Sequence, residues 1–597
     1  MTNSDAAGRL SRRDFLYRSA ATGVAIGGVG ALTSACEGSG SGERGGERSK
    51  TLILDMQSGR VQSPQLWNPF VPGFTGNAGF HQAVQEPLFM LNYETSEIEP
   101  WLGESFTPND GLDVWTLKLR NGIKWSDGED FDADDVVFTV MMLAKGPAEL
   151  ANAASMRQWV KSARKVDPTT VEFTLTSPNP RFQLDYFSVK TWGSIPIVPE
   201  HIWSGKDPVK FENYDPKKGW PVFTGPYKLE SGSPTKFVYT RRDDWWGAKA
   251  NFKPLPKPER LEFVVSETED VRVAKASDHQ LDSVGDMTAG AFQSLQSRNP
   301  EMISWLPKKP WAWSDPCTRL LSLNNAIEPW NDREMRWAVN YAIDRDEVVR
   351  IAYEGTTKPA DFFFPPYPAL KNYVKMIEDA GIFEEFPILK HDVAKAKQII
   401  ESKGYTKSGD YYQKDGKQLR LQIDAPTEYI EIWRYADVIG EQLQRIGINA
   451  TVRKLASSIW GANIGNGKFE AASDWSACGS VNEPWYSMHL YTDDAVVPVG
   501  KTASSNSVRW KNAEYTKHVN AMANLPLGDK AIDKPFVAAA RLFLQDLPFI
   551  PITYSRKLYA FDTHYWTGWA TSENNYLEPT LDWENAHKII HNLRPVK

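Results

Sequence analysis

The residues in this chain that could carry chemistry are mostly aromatic and acidic. Its 597 residues include 23 Trp, 22 Tyr and 27 Phe. Leu and Ile fill a core without an N–H to satisfy, so a core alone has no need of this much indole. Part of the aromatic set suits a cleft for a ligand with flat, partly apolar faces. The densest run is Trp475-Ser476-Ala477-Cys478-Gly479-Ser480-Val481-Asn482-Glu483-Pro484-Trp485, preceded by Trp460 and Asn463 and followed by Tyr486. Trp311 and Trp313 form a second group; Gln65, Trp67, Asn68 and Phe70 form a third. The candidate ligand-binding residues are Trp67, Asn68, Trp313, Trp460, Trp475, Asn482 and Trp485. Indole faces suit the C–H faces of sugar rings, and amide and acidic groups suit their hydroxyls.

Other chemistries find little support. No HExxH motif, no Walker loop and no GxSxG pattern occurs. Gly461–Lys468 (GANIGNGK) is one residue off a phosphate loop and is followed by Phe469 instead of Ser or Thr. The nine His are scattered singly, without metal-ligand spacing. The acid-rich run 127–135 lacks the ligand order of a calcium loop and reads as a hairpin end and a helix cap. No catalytic residue, metal or cofactor is therefore expected. A net charge of −7 argues against a nucleic-acid binder, which carries a basic stripe. With 41% hydrophobic and 24% charged residues, the chain can bury a large core.

The first fifty residues read as an address. Arg12 and Arg13 precede Phe15-Leu16, and a short, Gly-rich apolar run follows over 20–32. That run falls well short of the roughly 20 residues needed to span a bilayer. The pattern is a secretory signal of twin-arginine type, over 1–35. Cys36, after small residues, is placed as a lipidated cysteine, although Thr33 stands where the lipobox usually has Leu. Residues 36–50 (Gly, Ser and charge) are expected to be a flexible tether. The mature chain then keeps only Cys317 and Cys478, which are no disulfide framework for this length, and whether they meet is left open.

From residue 51 the pattern is mixed α/β. Strands are expected at 51–56, 115–119, 170–176, 236–240, 260–265, 419–424 and 450–455, and helices at 133–144, 333–342, 393–403 and 429–446. The stretch 421–455 reads strand, helix, strand, a βαβ unit with parallel strands. Asn331 with Glu334 resembles a capping box. Pro-rich joints at 254–258 and 307–316 mark candidate lobe boundaries.

The stretch from Trp115 (WTLKLRNGIKWSDGEDFDADDVVFT) strongly resembles the signature of the family 5 extracellular solute-binding proteins, which serve peptide, nickel and oligosaccharide ABC importers. Here Asn121-Gly122 is read as a hairpin turn and Asp132 as a helix cap. More of the family pattern follows in order: Ile197 to Trp203 (IVPEHIW), Phe223 to Leu229 (FTGPYKL), Arg242 to Trp246 (RDDWW), Pro329-Trp330-Asn331-Asp332, Arg336 to Arg345 (RWAVNYAIDR) and Asn506 to Tyr515 (NSVRWKNAEY). The resemblance spans 51–597 nearly end to end.

The resemblance implies an α/β, two-lobed periplasmic-binding-protein-like clamp, with lobe one at 51–310 plus 545–597, an accessory subdomain near 86–221, and lobe two at 311–544. It implies a monomer that closes on a small solute and presents it to a membrane permease, while acylation of Cys36 would hold the chain at the outer face of the membrane. Peptide binders of the family carry a Trp and, three residues on, an Asp that captures the peptide amine. Here Cys478 holds the Asp position, and Glu483-Pro484 falls two residues late. A neutral thiol cannot pair with an ammonium group. Oligosaccharide is therefore favoured over peptide as ligand, unless Asp474 or Glu483 substitutes.

Overall fold

The computed structural model describes residues 46–56, 59–266, 268–476 and 478–596. Arg12, Arg13 and Cys36 lie outside the described residues. The last part of the expected tether is not loose. Glu47–Lys50 forms a short 3-10 helix, and the Arg48 guanidinium pairs with the fully buried Asp282 at 2.8 Å, donates to the His279 carbonyl at 2.7 Å and stacks over Tyr565. A bidentate Arg–carboxylate pair is the feature that composition alone could not foresee.

Two sheets form the centres of two lobes. Lobe one has seven strands in the order Met302–Ser304, Ala560–Asp562, Ser283–Val284, Thr51–Asp55, Arg260–Val264, Lys236–Arg241 and Tyr227–Ser233. Lobe two has five: Asn449–Leu455, Arg420–Pro426, Ala471–Trp475, Arg319–Leu323 and Phe549–Thr553. The expected βαβ unit is present. Arg420–Pro426 runs parallel to Asn449–Leu455, joined by helix Ile430–Ile446. The helix buries Ile432, Tyr435, Ala436, Ile439, Leu443 and Ile446, a stripe at helical spacing. Gly447 ends it at φ +108, a left-handed position that glycine adopts without penalty.

The accessory subdomain is a four-stranded sheet, Gly103–Pro108, Val114–Leu119, Thr170–Leu175 and Val160–Asp167, under helix Ala133–Lys145, with a core of its own. Asp132 caps that helix in a capping box with Asp135, as expected. Asn121-Gly122 does not close a hairpin on Val114–Leu119. That strand pairs with Gly103–Pro108 and Thr170–Leu175, and the turn leads into a loop closed by a single Lys124–Asp130 bridge. Helix Arg333–Ala342 is capped by Asp332 and not Asn331, because the Asp332 carboxylate takes the Glu334 N–H at 2.8 Å.

The chain crosses between lobes at 305–318 and returns at 554–559. Strand Phe549–Thr553 pairs with Arg319–Leu323, so it belongs to lobe two, and the boundary placed at 545 moves to about residue 554. The crossings meet in an antiparallel bridge: Trp313 N–H donates to Lys557 at 3.0 Å and Lys557 N–H returns to Trp313 at 2.8 Å. A second tie joins the accessory region to lobe two. Arg181, 1% exposed, pairs with the equally buried Glu483 at 3.1 Å and lies 4.5 Å over the Trp485 ring. Glu483 also accepts the Trp485 and Tyr486 N–H groups at 2.8 and 3.0 Å. Removing one partner of a buried pair leaves an uncompensated charge. Glu483→Gln is therefore expected to lower stability by about 3–5 kcal/mol, seen as a lower urea midpoint with an unchanged slope.

Candidate functional site: the cleft between the lobes

A cavity of about 450 Å³ lies beside the crossing strands, within the size range of small-ligand sites. Lobe one contributes Asp55, Asn77, Trp192, Asp582 and Trp583; lobe two contributes Arg319, Tyr429, Glu431, Trp475 and Cys478; Asp315 and Cys317 come from the outgoing crossing, and Lys557 and Tyr559 from the return. Each lobe supplies an aromatic pair. Trp192 is 52% exposed and lies against Trp583, with centroids 6.3 Å apart and planes at 62°. Tyr429 is 48% exposed and lies against Trp475, at 5.5 Å and 73°. Large rings left this exposed at a concave surface mark a binding site better than buried ones do.

Trp192 is held in place by unusual means. Its backbone sits at φ +62, where a bulky side chain is strained. Glu584 N–H donates to the Trp192 carbonyl at 2.8 Å, while the Glu584 carboxylate accepts the Ser194 N–H at 2.8 Å and the Ser194 hydroxyl at 3.0 Å. Burial pushes Glu584 up to about 8.

The four cleft acids are each engaged by a neighbouring group. Asp315 accepts the Cys317 N–H at 2.9 Å, Asp582 the Tyr559 hydroxyl at 2.8 Å, and Glu431 pairs with Arg319. One Glu431 oxygen is buried without a hydrogen bond. The Asp55 carboxylate is buried with the Arg272 guanidinium 3.6 Å away, and burial raises its pKa. Burial acts to lower the Lys557 pKa, but the carboxylates of Asp286, Asp315, Asp582 and Glu431 outweigh it and hold the ammonium charged. Four acids against Arg319 and Lys557 leave the lining with a formal excess of two negative charges.

The two cysteines meet. Cys317 and Cys478 form a disulfide with Cα atoms 4.5 Å apart, in the cleft wall. The position read as a free thiol is thus a disulfide sulfur, with neither charge nor proton. Neither proposed substitute anchor is available: Glu483 is committed to Arg181, and Asp474 takes the Trp475 N–H at 2.8 Å and the Ser322 hydroxyl at 3.3 Å, outside the cavity lining.

Of the seven expected ligand residues, only Trp475 lines the cavity. Trp67 and Asn68 are corrections: both are fully buried, Trp67 donating to the Pro64 carbonyl and Asn68 to those of Pro208 and Phe211. They build lobe one's interior, where an indole N–H and an amide find backbone partners. Trp313 packs behind Trp583 at 5.9 Å, and Trp460 behind Trp475 at 5.0 Å. Trp485 stacks on His489 at 4.1 Å and 5°, under Arg181, and neighbouring Asn482 is half-buried outside the lining. Sequence reasoning missed Trp192, Trp583, Tyr429 and Tyr559. Of these, only the Trp583 stretch, with its alternating Leu581-Asp582-Trp583-Glu584, carried a signal of a wall residue.

Two α/β lobes joined by two paired crossings, with an open cavity between them, define a bilobal binding protein. The family model for bacterial extracellular solute-binding proteins, family 5, matches residues 97–497, and the chain belongs to that family. It is a substrate-binding protein of an ABC importer. The nickel-binding periplasmic protein of Escherichia coli K12 is 26% identical over 397 residues, 64% of this chain and 67% of that protein. The E. coli glutathione-binding protein GsiB is 24% identical over 419 residues, 69% and 72% of the two chains. The crystal structure of a periplasmic oligopeptide-binding protein of Thermotoga maritima superposes with a TM-score of 0.80 at 25% identity, covering 92% of this chain and all of that one. Its mannohexaose-bound structure superposes at 0.74, covering 92% and 99%.

Buried titrating groups set a pH signature. Burial pushes Glu86, Glu578 and Glu584 up to about 7, 8 and 8, and holds His81, His587 and His591 down at about 4, 4 and 3. Unfolded glutamate titrates near 4.3, so between pH about 8.5 and 6.5 the folded chain binds more protons and gains stability as pH falls. Below about 6.5 the unfolded histidines take up protons that the folded ones refuse, and this opposes the gain. The urea midpoint should therefore climb from pH 8.5 to 6.5 and then level off, and Glu584→Gln should flatten the climb.

Proposed function

We propose that the cleft captures an oligosaccharide and that lobe closure presents it to the importer's permease. The observation carrying this reading is the pair of exposed aromatic faces, Trp192 and Tyr429, one from each lobe, bordered by carboxylates. Rings stack on such faces, and hydroxyls donate to such carboxylates. Closure follows because the ligand touches both lobes only when they are together. The mannohexaose-bound Thermotoga relative supports the reading. So does the disulfide standing where a peptide's amine would find its carboxylate. Export by the twin-arginine signal and anchoring at Cys36 belong to the same proposal: Arg12→Lys with Arg13→Lys should block export, and Cys36→Ala should release the chain from the membrane.

A second reading, capture of an oligopeptide, is favoured by the excess negative charge of the cleft and by relatives named for peptides and glutathione. A thermal-shift panel of mature protein against manno-oligosaccharides and peptides separates the two, since a ligand that binds only the folded state raises the midpoint. A rise with oligosaccharides alone is expected. Trp192→Ala and Tyr429→Ala should each cost roughly 1–2 kcal/mol of binding, about 5–30-fold in Kd, with unchanged stability without ligand. A rise with peptides alone would give the cleft to the second reading.

A further inference from the structure

Outside the cleft lining, lobe one brings together two of the scattered histidines. His279 follows helix Glu269–Ser277, Glu301 precedes strand Met302–Ser304, and His564 follows strand Ala560–Asp562. Their ligand atoms all lie within 4.8 Å of one another. His564 Nδ1 is 2.6 Å from the Glu301 carboxylate and His279 Nε2 is 3.7 Å from the same oxygen; the two imidazoles stack with centroids 3.9 Å apart. We propose that His279, Glu301 and His564 form a binding site for a divalent transition-metal ion of the Zn²⁺ class.

Three features separate this cluster from a chance surface group. Two imidazoles and one carboxylate are a donor set that zinc accepts, with water completing the shell. The second shell is built: Asp562, fully buried, receives the His279 Nδ1 proton at 2.7 Å, which leaves Nε2 as the ligand atom facing Glu301. A metal-binding imidazole is typically oriented this way, by a carboxylate on its other nitrogen. The other Asp562 oxygen accepts the His564 N–H at 2.9 Å, and Asn299 donates to the first at 3.4 Å. The backbone is also fixed. Thr563 donates to the Glu301 carbonyl through its N–H at 3.1 Å and its hydroxyl at 2.7 Å, and His279 sits at φ +55 with its carbonyl held by Arg48. An ion replacing the His564–Glu301 hydrogen bond would join the end of one helix, the start of one strand and the turn after another. That ties three segments distant in sequence, beside the point where residues 47–50 dock.

The test uses mature protein stripped with EDTA and titrated with Co²⁺ and then Zn²⁺. The expected result is one Co²⁺ per chain, with a visible absorption band of low-coordinate nitrogen and oxygen ligation that Zn²⁺ abolishes, and a melting midpoint that rises with Zn²⁺ concentration. His279→Gln and His564→Gln should each weaken binding by roughly a hundredfold or more, and Asp562→Asn by about 10–100-fold, as expected for an outer-shell partner. Melting in EDTA checks folding; should a histidine variant melt early, Glu301→Gln, which keeps a hydrogen-bonding side chain, carries the test. Absence of stoichiometric Co²⁺ binding, or binding that the folded variants leave unaltered, would overturn the site.

Discussion

The structure depends on the bridge between Trp313 and Lys557, where the chain's two passages between lobes hydrogen-bond to each other. A chain that leaves one sheet, builds a second and returns must satisfy two stretches of backbone outside any sheet. Here they satisfy each other, at 2.8 and 3.0 Å. The pairing brings the ends of both sheets to one place and makes that place concave. The same two residues serve the site directly: Lys557 reaches the cavity, and Trp313 backs the Trp583 wall. Beside them, the Cys317–Cys478 disulfide ties the outgoing crossing to the end of strand Ala471–Trp475. The rear of the cleft is therefore stiff, while the aromatic faces at its mouth belong to separate lobes.

That division gives the cleft its chemistry. Half-exposed Trp192 and Tyr429 carry apolar surface that folding leaves in water, and Trp192 adds a strained backbone. Strain of this kind persists only where surrounding contacts over-determine it; Glu584 and Ser194 supply them. Asp315, Asp582 and Glu431 are likewise each pinned by a neighbour. A site with its polar groups already oriented spends less of a ligand's binding energy on ordering.

The local pattern of the chain was largely legible in its sequence. The βαβ unit at 420–455, the Asp132 cap and the amphipathic helices follow from periodicity and capping chemistry, which are local. The family motifs gave the two lobes and the accessory subdomain. The site was much less legible, because its members are distant in sequence. Trp192, Tyr429 and Trp583 come from three separate segments, and nothing in their immediate neighbours distinguishes an exposed Trp192 from a buried Trp67. The Glu483-Pro484-Trp485 stretch attracted a ligand role by its composition, yet its glutamate is the counter-ion of Arg181 and its tryptophan lies under that guanidinium. The cysteine pairing and the His279–His564 stack likewise needed three dimensions.

Native mass spectrometry of the mature protein, purified gently from cells grown on mixed carbon sources, tests the central claim most directly. A clamp closed on its own ligand retains it, so the added mass reports the chemistry of what the cleft selects. Adducts spaced by sugar-residue increments are expected, lost when Trp192 and Tyr429 are truncated together. Adducts with peptide masses, retained by the same double variant, would contradict both the ligand class and the aromatic faces assigned to it.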